Sequence, residues 1–474
     1  MKYIVFTFFS FIIISCSKDY NTKTTISGLI QNPTHNHIYI TENGDVSDTI
    51  FLKSDGSFNK TININKSKFL VFKHPPEYQT FFIQPGDSLS FRLNTLDFDE
   101  SLVFNGDSSV ENNFLMDMYL MNEANNELIL SYYKISADVF VDKIDSIKSN
   151  RINKLEQLDF KNDFSNEFME IAKKSISYEF YDIKERYVFL LKKYFPKKAA
   201  LIDDSYYNYR KSVNFNDADL ISHFGYLRFL DNYLKNESVD KCISNEKKKQ
   251  QTCFELNSFN NIHERLKLVD SIFEHQDLKE KFLERFFAQE FVYASTKDQL
   301  DSALKLLNKV EIDKKRKKEL LEFGEFHKKF IIGHKIDQLP LKNHNKDTVK
   351  VNNYTDKPYT AIHVWSSNMP TLNKKRFELI NEMRKKNNHI NFIGINIDYN
   401  NYKLWQKNVS QHNLIRHHEL QAINSPNSKF YNYYLNRFTL INENGEVIAA
   451  DILNNKRDIK KFIVDNTNKK SLNN

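Results

Sequence analysis

Sulfur placement says most about the chemistry open to this chain. Its 474 residues include three cysteines, Cys16, Cys242 and Cys253. Exchange and nucleophilic chemistry at cysteine runs through the thiolate, and residues 331–465 contain no cysteine at all. There a strand ending in Val364-Trp365 passes through Ser366-Ser367-Asn368-Met369-Pro370-Thr371-Leu372 into an amphipathic helix. Ser366, Ser367 and Thr371 place hydroxyls near the helix start, and His363 shares a strand face with Trp365. A serine nucleophile needs a base within hydrogen-bond reach and a group to orient that base. The spacing assembles no such triad. Capping by Ser or Asn, with Pro370 in the first turn, accounts for the same residues without catalysis. His417-His418 point to opposite faces if they lie in a strand. His35 and His37 could share a face but lack a third ligand at metal-like spacing. With no glycine-rich phosphate loop and no HExxH pattern, no catalytic residue, metal or other cofactor is expected.

The N-terminus sets the expected compartment. Lys2 precedes an apolar run from Tyr3 to Ile14, and Ser15-Cys16 follows. A basic start, a short apolar core and a small residue describe a secretory signal over residues 1–15. A permanent transmembrane helix would need roughly 20 apolar residues. The Ile13-Ile14-Ser15-Cys16 arrangement resembles a bacterial lipobox. That resemblance implies cleavage before Cys16 and acylation of that cysteine, each buried methylene contributing about 0.8 kcal/mol to membrane attachment. A plain signal peptide with an incidental cysteine is the alternative. No later segment is apolar enough to span a membrane, so a soluble body on a tether (16–24) is expected. Cys242 and Cys253 then form a candidate disulfide in a polar stretch between helical patterns, stabilising by roughly 2–3 kcal/mol. A reactive dithiol is the other possibility, though their spacing matches no redox motif.

Three composition regimes follow. Residues 25–105 alternate and are broken by Ser54-Asp55-Gly56 and Pro85-Gly86-Asp87, which predicts seven short strands in a small β-sandwich or barrel. From Ser108 the period becomes helical, with Ser108 and Glu111 placed for a capping box. Phe140, Ile144 and Ile147 share one face; Ile262, Leu266, Val269 and Phe273 share another. The aromatics of 106–330 read as helix packing, not as a ligand box. The run Lys314-Lys315-Arg316-Lys317-Lys318 spreads around its helix and reads as a solvated face, with head-group contact a weaker alternative. With 68 basic against 61 acidic residues the net charge is +7, too mixed for nucleic-acid binding.

Residues 331–465 order as strand Tyr359–Trp365, helix 370–386, strand Ile390–Ile397, a helix through Leu404-Trp405, and a short helix near 429–434. A hairpin around Glu443-Asn444-Gly445 and a last helix follow, with a polar tail at 466–474. With Val364-Trp365-Ser366-Ser367, Asn391-Phe392-Ile393-Gly394-Ile395 and Leu440-Ile441-Asn442-Glu443-Asn444-Gly445, this series resembles the membrane-anchored thioredoxin-like (TlpA-type) thiol-disulfide oxidoreductases. The β-rich 25–105 segment resembles N-terminal companions of that family. The implied fold class is an α/β thioredoxin-like C-terminal domain preceded by an all-helical middle and a β-rich N-terminal domain. Two departures matter. Alignment from Trp365 puts Met369 and Leu372 where the family has its two cysteines, and alignment from Leu440 puts Asn436 where it carries a cis-proline. A cis bond before a non-proline residue costs about 2.5–4 kcal/mol.

The expectation is therefore a lipid-anchored envelope protein, periplasm-facing or at the outer membrane. Its thioredoxin-like domain is redox-inactive and binds or scaffolds a protein or peptide. Trp365, as an exposed aromatic plane, and free N–H groups at Ser366, Ser367 and Asn368 would form the contact. A thiol-disulfide oxidoreductase working through Cys242 and Cys253 is the alternative, and a structural spacer in a surface assembly is a third reading. No nucleic acid or metal partner is expected.

Overall fold

Alternating burial along strands is the local rule that builds residues 23–106. The computed structural model describes residues 22–467, apart from 43–44, 133, 222, 245–249, 337–338, 426–427, 436 and 453–455. The expected signal segment 1–15, Cys16, Asn436 and most of the 466–474 tail thus lie outside the described residues. Contacts divide the chain into two units, 1–233 and 234–474, and the division falls inside the helix Phe224–Ile243.

In the first unit the strands are β1 (Lys23–Gln31), β2 (His37–Glu42), β3 (Asp45–Phe51), β4 (Ser57–Asn63), β5 (Lys68–His74), β6 (Glu77–Ile83), β7 (Ser88–Asn94) and β8 (Val103–Gly106). They form two four-stranded sheets, β4-β1-β7-β8 and β3-β2-β5-β6. On β7, Leu89, Phe91 and Leu93 are buried while the residues between them are not, the period of two that a half-buried strand requires. Phe72 stacks on Phe91 at 4.5 Å between ring centroids. The turn at Gly56 takes φ +81°, open to glycine at little cost. Strand β8 has four residues and no alternating run, so periodicity does not announce it.

Each sheet ends in an edge, β6 and β8, whose free backbone groups need partners. Consecutive asparagines on the helix Ser109–Tyr132 supply them. Asn112 accepts from the Phe82 N–H (2.7 Å) and donates to the Phe82 carbonyl (2.8 Å). Asn113 does the same at Phe104, both bonds 2.9 Å. Two side-chain amides thus imitate strand peptides and tie one helix to both sheets. The box anticipated at Ser108 is replaced: its hydroxyl donates to Asp87 and accepts from Gln84.

Two long helices follow, Ala137–Asn162 and Asn166–Tyr194. Glu179, Asp182 and Glu185 lie on the buried face of the latter, a position that costs heavily unless each carboxylate is paired. Arg228 reaches Glu179 (3.2 Å) and Asp182 (2.7 Å), and Arg210 makes a bidentate pair with Glu185.

The second unit opens with helices Phe259–Ile272, Gln276–Tyr293, Lys297–Lys309 and Lys314–His327. Ile262, Leu266, Val269 and Phe273 are all buried. Thr296 and Gln299 form a capping box that the sequence reading passed over. The basic run 314–318 opens the last of these helices, where the macrodipole disfavours cations. Asp313 caps it, Arg316 pairs with Glu280 and Glu284, and Lys317 donates to two carbonyls.

A seven-stranded sheet completes this unit: β9 (Pro340–Lys342), β10 (Thr348–Lys350), β11 (Tyr359–Trp365), β12 (Ile390–Asn396), β13 (Glu419–Ala422), β14 (Arg437–Asn442) and β15 (Val447–Ile452), in the order β10-β9-β13-β12-β11-β14-β15. Strands β11, β12 and β13 are parallel, joined through the helices Pro370–Lys386 and Tyr402–Gln411. β14 and β15 add an antiparallel hairpin beside β11. Every residue of β11 and β12 is buried, as a sheet covered on both faces demands. This is the connectivity of a thioredoxin-like domain, enlarged by β9 and β10.

The asparagine staple is expected to be energetically lopsided. Asn112→Leu strands a buried N–H and carbonyl, so urea unfolding of the full chain should show a loss of about 2–4 kcal/mol. Asn113→Leu, at a half-buried site, should lose about half as much. Equal stabilities for wild type and both variants would remove the staple from the account.

Candidate functional site

The loop between β11 and the helix Pro370–Lys386 carries the expected contact residues Ser366, Ser367 and Asn368. Trp365 is 0% exposed, which corrects the expected aromatic platform: its indole is core. It touches Phe377 edge-on at 5.0 Å, and its Nε1 donates to Glu419 at 3.1 Å. Ser366 and Ser367 are buried as well. Of the expected free N–H groups, those of Ser367 and Asn368 are taken. Asp398 accepts from the Ser366 hydroxyl (2.9 Å) and the Ser367 N–H, and the Asn368 N–H donates to Ser366 Oγ at 3.2 Å. Asn396 donates to both Ser367 Oγ and Asp398. Met369, not Ser or Asn, is the N-cap, and it makes no side-chain cap bond. What reaches solvent is Asn368 and Met369, the latter 39% exposed, while Leu372 is half-buried.

Beneath this loop lies a buried polar centre that sequence reading missed. Glu419 on β13 receives the Trp365 indole and, at 3.3 Å, the Arg384 guanidinium. Gly394 makes the space: a Cβ there would stand 1.9 Å from Glu419 Oε2 and 2.9 Å from Trp365 Nε1. Burial pushes the Glu419 carboxyl up to about 7, with Arg384 and Trp365 pulling the other way. His363 is fully buried, stacks near Phe438 at 5.9 Å, and neither ring nitrogen has a hydrogen-bond partner. Burial, reinforced by Arg376 and Arg384, holds it neutral, well below the usual imidazole range. It stands apart from the serines, so no serine–base pair forms here. The one sequence signal was a glycine inside a strand, which marks a close approach.

The turn Ser428–Tyr434 is covered from within the same unit. Phe323 stacks on Phe430 (4.7 Å) and Tyr433 (4.9 Å), and Phe330 meets Tyr434 at 4.5 Å. His327 Nδ1 shares a 2.7 Å hydrogen bond with the Tyr434 hydroxyl and Nε2 reaches the Ala294 carbonyl. Arg376 donates to the carbonyls of Val364 and Leu435. Asn436, where the resemblance places a cis-proline, follows this turn and lies outside the described residues.

Cys242 and Cys253 are joined in a disulfide, with Cα atoms 5.5 Å apart and Cys253 buried. In the first unit a small cavity of about 60 Å³ is lined by Met116, Met118, Ser175, Glu179, His223 and Arg228 among others. Ser175 hydrogen-bonds His223 Nε2, while His223 Nδ1 accepts from the Tyr226 N–H at 3.4 Å. That second bond puts the ring proton on Nε2, so the imidazole donates to Ser175 and cannot act as its base. The sequence reading also missed His74, whose ring lies 5.8 Å from His35; its nitrogens contact Thr34 and the His37 carbonyl. His417 and His418 sit in a 3-10 turn, not a strand, with rings 4.2 Å apart. Among the described residues no His, Cys, Asp or Glu group is arranged for a metal, and no helix is long and apolar enough to cross a membrane.

No protein-family model matches this sequence, and no curated protein does. Solved structures similar to it include a thioredoxin-like protein from Bacteroides caccae (12% identity, 59% of this chain and 93% of that one, TM-score 0.31). A thiol-disulfide oxidoreductase from Bacteroides fragilis (18% identity, 27% and 96%, TM-score 0.23) and a thiol:disulfide interchange protein from a Bacteroides species (13% identity, 30% and 95%, TM-score 0.24) are others. Strand order and crossovers, not these scores, carry the fold.

Glu419 gives the second unit a pH signature. A carboxyl raised from 4.5 to about 7 binds more protons folded than unfolded between those values. Its contribution is full below about pH 4.5 and is lost as pH rises through about 7. Glu419→Gln should flatten this part of the stability profile by about 3 kcal/mol in urea titrations. The similarly raised Glu179 leaves its own slope in both proteins. Identical profiles for the two proteins would show that Glu419 does not titrate as argued.

Proposed function

We propose that this chain is a lipid-anchored cell-envelope protein whose thioredoxin-like domain binds or scaffolds a protein or peptide partner without exchanging disulfides. One observation carries the reading. Met369 and Leu372 stand where the family has its cysteines, and the neighbouring Ser366 hydroxyl is committed to Asp398. Asn368 and Met369 form the solvent-facing tip that a partner would meet, and Trp365 supports them from below. Cys16 carries the lipid, and the domain faces the periplasm or the outer membrane. The segments 25–105, 106–330 and 331–465 serve as β-rich, helical and thioredoxin-like parts.

Bridged Cys242 and Cys253 favour one second reading, an oxidoreductase that uses this pair. Burial of Cys253 supports a staple instead, because exchange requires an accessible sulfur.

Insulin reduction separates the two. Wild type and Cys242→Ser should both run at the uncatalysed rate; turnover that disappears in Cys242→Ser overturns the preferred reading. For binding, the double variant Asn368→Arg/Met369→Arg should lose at least tenfold in capture of an envelope partner from detergent extracts, with circular dichroism unchanged. Undiminished capture would move the contact away from this tip. Point variants are preferable to deletion of 331–474, which would cut through the second compact unit.

A further inference from the structure

Residues 192–201, Lys-Lys-Tyr-Phe-Pro-Lys-Lys-Ala-Ala-Leu, hold four lysines and no acidic side chain. They close the long helix Asn166–Tyr194 and turn through the short helix Pro196–Ala199. Tyr194 is 60% exposed and Leu201 84%, large apolar groups held in water at a cost. Lys193, Lys197 and Lys198 are exposed beside them. The Lys193 ammonium lies 5.1 Å from the Tyr194 ring centre, and that of Lys198 5.6 Å from the ring of Phe195. Lys198 also donates to the Lys134 carbonyl at 2.9 Å, which brings exposed Lys134 alongside. The following Asp203, which accepts the Ser205 N–H and stays ionised, with Asp204 and Asp138 offsets only part of the charge of Lys134, Lys192, Lys193, Lys197 and Lys198.

Two other prominent surface features are arranged differently. In the run 314–318, Arg316 and Lys317 are engaged within the fold. Phe160 is 93% exposed, but Asp159 and Asp163 bracket it and Lys161.

We propose that the 192–201 tip docks on an anionic phospholipid surface. Tyr194 and Leu201 enter the head-group layer, and Lys134, Lys193, Lys197 and Lys198 meet the lipid phosphates. An aromatic ring with a polar end suits that depth, and basic residues near an anionic leaflet each add attraction within a Debye length. This contact is independent of the reading of the C-terminal domain, and it supplies the second attachment that a lipid-anchored protein gains from.

The test uses residues 17–474, which keep every described residue and omit acyl chain and signal. Flotation with vesicles of equimolar phosphatidylglycerol and phosphatidylcholine should show binding that pure phosphatidylcholine does not support. Lys193→Gln/Lys197→Gln/Lys198→Gln should weaken it by about 100-fold at low salt, about fivefold per lysine. Tyr194→Ser/Leu201→Ser should weaken it by about tenfold. Lys315→Gln/Lys318→Gln should leave it unchanged. Equal binding to neutral vesicles, or an undiminished triple variant, overturns the proposal. So does capture by polyglutamate without vesicle binding, which would assign an acidic polypeptide to the tip.

Discussion

A carboxylate in the middle of a β-sheet is the constraint around which the thioredoxin-like part of this protein is arranged. Glu419 has no access to water, and an isolated charge there would be prohibitively expensive. Two neighbouring strands and a helix cooperate to hold it: β11 offers the Trp365 indole, β12 gives up a side chain at Gly394, and the helix Pro370–Lys386 sends Arg384. The usual explanation for an aromatic residue beside such a loop, a surface for partners, is displaced by this need. Trp365 is committed inward because Glu419 requires its N–H.

The loop above is equally committed. Asp398 collects the Ser366 hydroxyl and the Ser367 N–H, and Asn373 donates to the Ser366 carbonyl at 2.6 Å. Groups that a reactive site would turn toward substrate are used here to fix the backbone. On the neighbouring side, rings of the helix Lys314–His327 pack against the turn Ser428–Tyr434. A helical segment of the same unit therefore covers this turn, while Asn368 and Met369 are exposed.

In the first unit the governing problem is different. Two sheets present open edges, and side chains on one helix close both. Buried acids on the following helix are matched by arginines from elements distant in sequence, Arg210 and Arg228. Both devices satisfy polar groups in place of removing them, which specifies where each helix must sit.

Residue type and period alone determined a good deal. The two-residue alternation of β7, the four-residue spacing of Ile262 and Leu266, and the isoleucine-rich run of β12 each report how a segment meets its core, because burial acts on every side chain in turn. The missing cysteines, and hence the absence of a thiolate between 331 and 465, needed no coordinates. What only tertiary structure decided were matters of pairing. Whether Trp365 faced water, which residue took the Ser366 hydroxyl, that Cys242 meets Cys253, and that Asn112 and Asn113 cap two sheet edges all depend on which segments the fold brings together. Short strands such as β8, β9, β10 and β13 stayed invisible for the same reason: three or four residues carry too little pattern, and their neighbours in the sheet make them strands.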